Sequence, residues 1–295
     1  MRCVLILALV AVAWPSVAPA ETRLEAPADL QRLFDNARCP RCDLAGADLS
    51  GMRLMSTDLS GADLRDADLR KTILFRGNLS GADLRGADLE KASLGRVNLA
   101  ASNLQGLELG GARLAFADLR NARLEDSNLS AGMLEHADLR GANLAGSRMQ
   151  GAALRNTKVS GAILDGADLS GADLRALDLR QVTSLSGTDF SGARLDRARF
   201  DRLDLSGTRF DEAQMDHASF AGSRLVGAHL ARATLRKADL SKADLTGADL
   251  RGATLTGVKL RATTLRSANL EQASIGGNLV GADFSDARLA KADLS

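Results

Sequence analysis

Thr57-Asp58-Leu59-Ser60-Gly61-Ala62-Asp63-Leu64-Arg65 contains the pattern that governs most of this chain. Working outward from it, every fifth residue from Leu44 to Leu179 is Leu, apart from Met149 and Val159. Two places before the Leu the repeat places a small residue, such as Ala47, Thr57, Ala62, Ala67, Ala82 or Ala87. Asp or Asn often lies between the two, and Gly is common two places after the Leu. The unit is Ala-Asp-Leu-x-Gly, and a period of five fits neither an α-helix nor a heptad.

Side-chain alternation turns the pattern into a shape. Residues two apart in an extended segment point the same way, so the Leu and the small residue face inward. The Asp and the residue after the Leu face solvent, and the x-Gly pair bends the chain at a corner. Four such sides close a coil of about twenty residues, and coils stack at the ~4.8 Å spacing of paired strands. Leu44, Leu49 and Leu64 mark the expected core. A core of Leu and Ala explains why aromatics are 3% of the chain while hydrophobic residues reach 45%.

These residues resemble the pentapeptide-repeat family, and the resemblance runs over 42–295. It implies an all-β solenoid, a right-handed quadrilateral β-helix of about thirteen coils and roughly 60 Å. The register slips twice. One residue is added within Gln181–Gly187, between Leu179 and Leu185, and one is lost within Gly276–Asn278, between Ile275 and Leu279. Each slip predicts a bulge or an irregular corner. Between them the central residue becomes Phe at Phe190, Phe200, Phe210 and Phe220, which predicts a thicker core with Phe190 on Phe210 and Phe200 on Phe220.

Residues 1–20 read as a signal peptide. Arg2 precedes an apolar run too short to span a bilayer, and Ala18-Pro19-Ala20 fits a cleavage site before Glu21. The expected location is extracytoplasmic, periplasmic or secreted, with no stable membrane insertion after cleavage. Cleavage removes Arg2 and no acid, leaving 37 cations against 37 anions. Such a balance argues against a nucleic-acid partner.

Residues 21–41 read as a cap and junction. Pro27 and the spacing of Leu30, Leu33 and Phe34 predict a short helix laid over the first coil, since a solenoid must hide its terminal coils. Cys39 and Cys42 follow. In an oxidising compartment the pair can close as a disulfide, with Cys42 at a small inward position and the pair pinning cap to coil. A redox site and a metal site are the other readings, although zinc needs four ligands and no second pair is present. A helix followed by Cys-x-x-Cys-Asp-Leu resembles the front of exported family members. No cap is visible before Ser295, so tail-to-tail pairing of two copies is the expectation there.

Catalysis needs groups that converge in a pocket. His136, His217 and His229 lie coils apart, and no nucleophile elbow or phosphate loop is present. The reading is a non-enzymatic protein with no cofactor. Sorted by face, Asp48, Asp68, Asp88 and Glu108 form one acidic column and Asp43, Asp63, Asp83 and Asn103 another, beside Arg65, Arg70 and Arg85. These columns read as a solvated, arginine-buffered surface, or as a cation site or phosphate mimic. A third face places Met55, Ile73, Phe75, Ala115, Met133 and Ala153 outward, with Phe116 at its corner. That is a candidate contact patch for an unidentified protein partner.

The leading expectation is therefore an exported structural or protein-interaction rod. Two alternatives stand beside it. The resemblance includes DNA mimics that bind type II topoisomerases, from which this chain departs in its export signal and zero mature charge. A cation-stabilised surface module is the other.

Overall fold

The computed structural model describes residues 28–294. The expected signal peptide, residues 1–20, and Pro27 lie outside the described residues. A helix, α1 (Ala28–Asn36), leads into a long run of parallel bridges, with two short strands, β1 (Thr254–Lys259) and β2 (Ser274–Asn278), near the far end. Each bridge joins residues one coil apart, as in Asp43 to Asp63 to Asp83. Twenty residues per coil is four pentapeptides, so the rod is a four-sided, right-handed β-helix. The corners cut every side to three extended residues, which is why isolated bridges outnumber strands.

Backbone bookkeeping explains the repeat. Leu49 N–H donates to Asp68 O at 2.8 Å, Gly51 N–H to Arg70 O at 2.7 Å, and Asp68 N–H to Ala47 O at 2.9 Å. Met52 N–H closes the corner onto Leu49 O at 3.2 Å. One amide per repeat, here that of Ser50, has no partner in the ladder. Asp48 Oδ1 accepts it at 3.0 Å. The Asp or Asn before the Leu is therefore a corner cap that answers an otherwise orphaned donor. Gly51 sits at φ 67°, the third position of a type II turn. Lys71 and Phe116 are held at φ 60° and 61° at equivalent corners, where the ladder imposes a conformation that a side chain resists.

The central inward residues are buried from Leu44 through Ile275. Phe190 stacks on Phe210 at 5.2 Å and Phe200 on Phe220 at 4.8 Å. The two columns come from opposite sides and meet edge to face, as Phe200 does with Phe210 at 5.7 Å. Both slips lie in corners. Gly161 N–H donates to Gln181 O, one residue beyond the regular step of Gly141 N–H to Ser160 O, and Ile163 bridges Ser184, so the added residue is taken up between Leu179 and Ser184. At the other slip, Thr256 pairs with Gly276 and Val258 with Gly277, which leaves Gly257 without an opposite number.

The ladder opens at three places. No bridge joins Asp88 to Glu108, Lys158 to Asp178, or Ser184 to Asp204, although the neighbouring bridges are formed. Each gap lies on the N-terminal side of a coil that carries Leu at the small inward position: Leu107, Leu177 and Leu203. Val97 and Val258 occupy the same position without a gap. One branched side chain more than the coil spacing accommodates wedges two coils apart. The first gap is a cleft of about 710 Å³ lined by Asp88, Glu90, Lys91, Glu108 and Gly110.

The solenoid starts ahead of residue 42. Arg38 bridges Asp58, so Cys39 holds a central inward position and Cys42 the small position of the next side. The two are disulfide-bonded and fully buried. The bond thus links two sides of the first coil and does not join cap to coil, because both cysteines are themselves core positions. What holds α1 is Leu33, buried in the core with Leu30 packed beside it. Phe34 is half-buried. Asp29 Oδ2 accepts Asp43 N–H at 2.8 Å, and Arg32 reaches Pro40 O at 3.3 Å. Ala37, at φ 51°, ends the helix.

Candidate interaction face

The four faces are named here by their first central leucine. On the Leu44, Leu49 and Leu59 faces, Asp and Arg alternate as local pairs. Arg85 meets Asp83 at 2.6 Å, Arg120 meets Asp118 at 2.6 Å, and Arg70 pairs with Asp68. The guanidinium hydrogen bond from Arg70 holds the Asp68 carboxyl at about 2, and that from Arg85 lowers Asp83 in the same way. These carboxylates also cap corner amides, so their oxygens are engaged within the protein. Among the described residues, Asp29, Cys39 and Cys42 are the one group of three side chains spaced to hold a metal, and the disulfide occupies both sulfurs.

The Leu54 face is built differently. From Arg53 to Ala153 the capping column reads Arg53, Ile73, Ser93, Arg113, Met133, Ala153, without one Asp or Asn. The amides these residues would cap, from Met55 through Phe75, Gly95, Ala115 and Glu135 to Arg155, have no hydrogen-bond partner among the described residues. Phe116, Met55 and Met133 are 52%, 45% and 37% exposed, while Ile73 and Phe75 are half-buried. Phe75 lies over Gly95, which has no side chain to keep it away. The column then holds one acid, Asp173, which caps the Arg175 amide and pairs with its guanidinium at 2.6 Å. Beyond it Arg194, Gln214, Thr234, Thr254 and Ser274 continue the column with polar side chains in place of the apolar ones.

The corner beside this face carries a stack. The Phe116 ring lies 4.7 Å from that of His136, with planes 2° apart, and Arg96 sits 5.1 Å over its other side. Arg76 sits 5.4 Å over Phe75. Arg96, Phe116 and His136 are one coil apart, so the helix pitch brings them into register, while Arg76 and Phe75 are neighbours in sequence. His136, Arg76 and Arg96 join the apolar residues here, as do Arg53, Arg113 and Arg155. None of these five arginines makes an ion pair among the described residues. The signal that marks them in the sequence is the loss of Asp from every fourth repeat. By contrast His217 and His229 make no ring contact among the described residues, and the three histidines lie apart.

At the far end the inward side chains Leu279, Phe284 and Leu289 are half-buried, Leu294 is 57% exposed and Val280 is 70% exposed.

The pentapeptide repeats family (8 copies) matches in successive segments from 37–76 to 275–295. The chain belongs to the pentapeptide-repeat family. Among solved structures it is similar to HetL, a pentapeptide repeat protein involved in heterocyst differentiation regulation from the cyanobacterium Nostoc. The identity is 30%, over 88% of this chain and 92% of HetL, at a TM-score of 0.33. Trypsin-treated QnrB1, a plasmid-mediated fluoroquinolone resistance protein, is 19% identical over 70% of this chain and 87% of its own, with a TM-score of 0.37. A thylakoid-lumen pentapeptide repeat protein from Arabidopsis thaliana is 28% identical over 38% of this chain and 65% of its own, at 0.20. No curated protein matches the chain. Its architecture is that of a structural or interaction solenoid.

Proposed function

We propose that this pentapeptide-repeat protein is an exported, non-enzymatic rod that holds a protein partner on its Leu54 face. One observation carries the reading. Met55, Ile73, Phe75, Phe116 and Met133 are gathered on one side of five successive coils, where the Asp-Leu-Arg repeats of the other faces place capped and paired charges. A contiguous apolar patch on an otherwise polar rod is what a contact surface looks like. The test is cross-linking in the source cells, comparing the native protein with a Phe75→Asp, Met133→Asp variant. The expected result is a discrete adduct that the variant loses, and an unchanged adduct would sink the reading.

Export has its own check. Cleavage after Ala20 removes Trp14, the one Trp in a chain with no Tyr. The mature protein should start at Glu21 by mass and show no tryptophan emission.

The half-exposed terminal coil favours a second contact, a second copy stacked on Leu289 and Leu294. Light scattering across micromolar concentrations should give twice the chain mass, and a monomer throughout would remove this idea.

A further inference from the structure

The apolar patch shares its face with an excess of donors. Between Arg53 and Arg155 this face carries five arginines without ion pairs and six corner amides without partners among the described residues, against the single acid Glu135. Elsewhere on the rod the arginines of Asp-Leu-Arg repeats are neutralised by their own Asp. The surplus of four positive charges is therefore local, although the mature chain as a whole balances. We propose that this face docks an acidic polypeptide segment whose carboxylates take the arginines and whose apolar side chains cover Phe75, Met55 and Met133. The inference rests on the interaction reading above and names its partner chemistry.

Three features point to a polypeptide over other anions. Guanidinium forks match carboxylates bidentately, and all five cations are Arg, none Lys. A single-stranded nucleic acid would need free aromatic faces for its bases. Phe116 is sandwiched between Arg96 and His136, and Phe75 lies between Gly95 and Arg76, so neither ring is free. A lipid surface would need an apolar side that sinks below the headgroups. Here Arg53 and Arg113 stand in the same column as Ile73 and Met133, so insertion would drag guanidiniums with it.

The experiment uses the full mature chain and fluorescence anisotropy with a labelled peptide of repeating Glu-Glu-Leu-Leu. Two variants carry the same charge change: Arg76→Glu, Arg96→Glu, Arg113→Glu on this face, and Arg202→Glu, Lys242→Glu, Arg261→Glu on unpaired cations of the Leu59 face. The first should weaken binding by about tenfold or more and the second by less than about threefold. Equal losses, or no binding by the native chain, would overturn the proposal. So would tighter binding of a single-stranded oligonucleotide or of phosphatidylglycerol vesicles that the first variant abolishes. Cross-linking separates the two layers of the argument. If the adduct depends on Phe75 and Met133 but survives the arginine reversal, the contact surface stands and its acidic partner falls. If neither variant alters the adduct, the contact surface itself is lost.

Discussion

Leu107 lies one coil along from Ala87, and at that step the backbones of Asp88 and Glu108 fail to pair. The same relation holds at Leu177 and Leu203. The solenoid tolerates Val at the small inward position but opens its seam for Leu, so side-chain volume sets the spacing of the coils.

Replacing Leu107 with Ala should let the seam close. A buried Leu→Ala change ordinarily costs about 2–5 kcal/mol. Leu107→Ala should cost less than Leu109→Ala, because the amides of Leu89, Lys91 and Glu108 regain partners as the packing volume is lost. Hydrogen exchange should show those amides slowing in Leu107→Ala. Unchanged exchange with a full-sized loss of stability would contradict the wedge.

The aromatic segment should behave as a locally filled core. Phe200→Ala removes one ring from a column that also touches Phe190 and Phe210 edge to face, and should cost about 3–5 kcal/mol. Phe200→Leu returns the position to the ordinary repeat and should cost less than about 1.5 kcal/mol. Urea melts of the two variants decide it, and equal losses would mean that the rings are not packed as a unit.

The Asp–Arg pairs set an acid limit. Asp63, Asp68, Asp83, Asp118 and Asp138 are all held below the usual carboxylate range, chiefly by hydrogen bonds from their arginines. A carboxylate whose folded pKa is depressed contributes stability above its unfolded value, and that contribution is lost as pH falls through the folded one. Melting temperature should be level from neutral pH to about 5, then fall between about pH 4 and 2. Because these pairs are partly exposed, each contributes little and the fall should be gradual. A melting temperature that is level down to pH 2 would contradict the pairing.

The disulfide closes a loop of four residues at a core corner, for which loop closure predicts about 2 kcal/mol. Since Cys39 and Cys42 stand where the repeat places Leu and Ala, Cys39→Leu, Cys42→Ala should melt above the reduced native protein. A double variant that melts at or below the reduced form would show that the bond does more than fill two inward positions.

The sequence by itself determined the coil. Periodicity of Leu44, Leu49 and Leu64 sufficed, because inward and outward alternate with a fixed period and a backbone ladder needs no particular partner side chain. Both register slips and the Phe columns were legible for the same reason. The purpose of the Asp was not, since an outward residue looks merely solvated until its oxygen is found on the amide two places on. Nor was the true start of the solenoid, where Cys39 stands in for Leu and hides the first side. Tertiary structure decided where the charges outside Asp-Leu-Arg repeats go. Arg70 hydrogen-bonds to Asp68 of its own repeat, whereas Arg96, whose repeat has no Asp, rests on Phe116 from the next coil. Stacking residues twenty apart decides whether a guanidinium meets a carboxylate or an aromatic ring, and with it which face of the rod stays open to a partner.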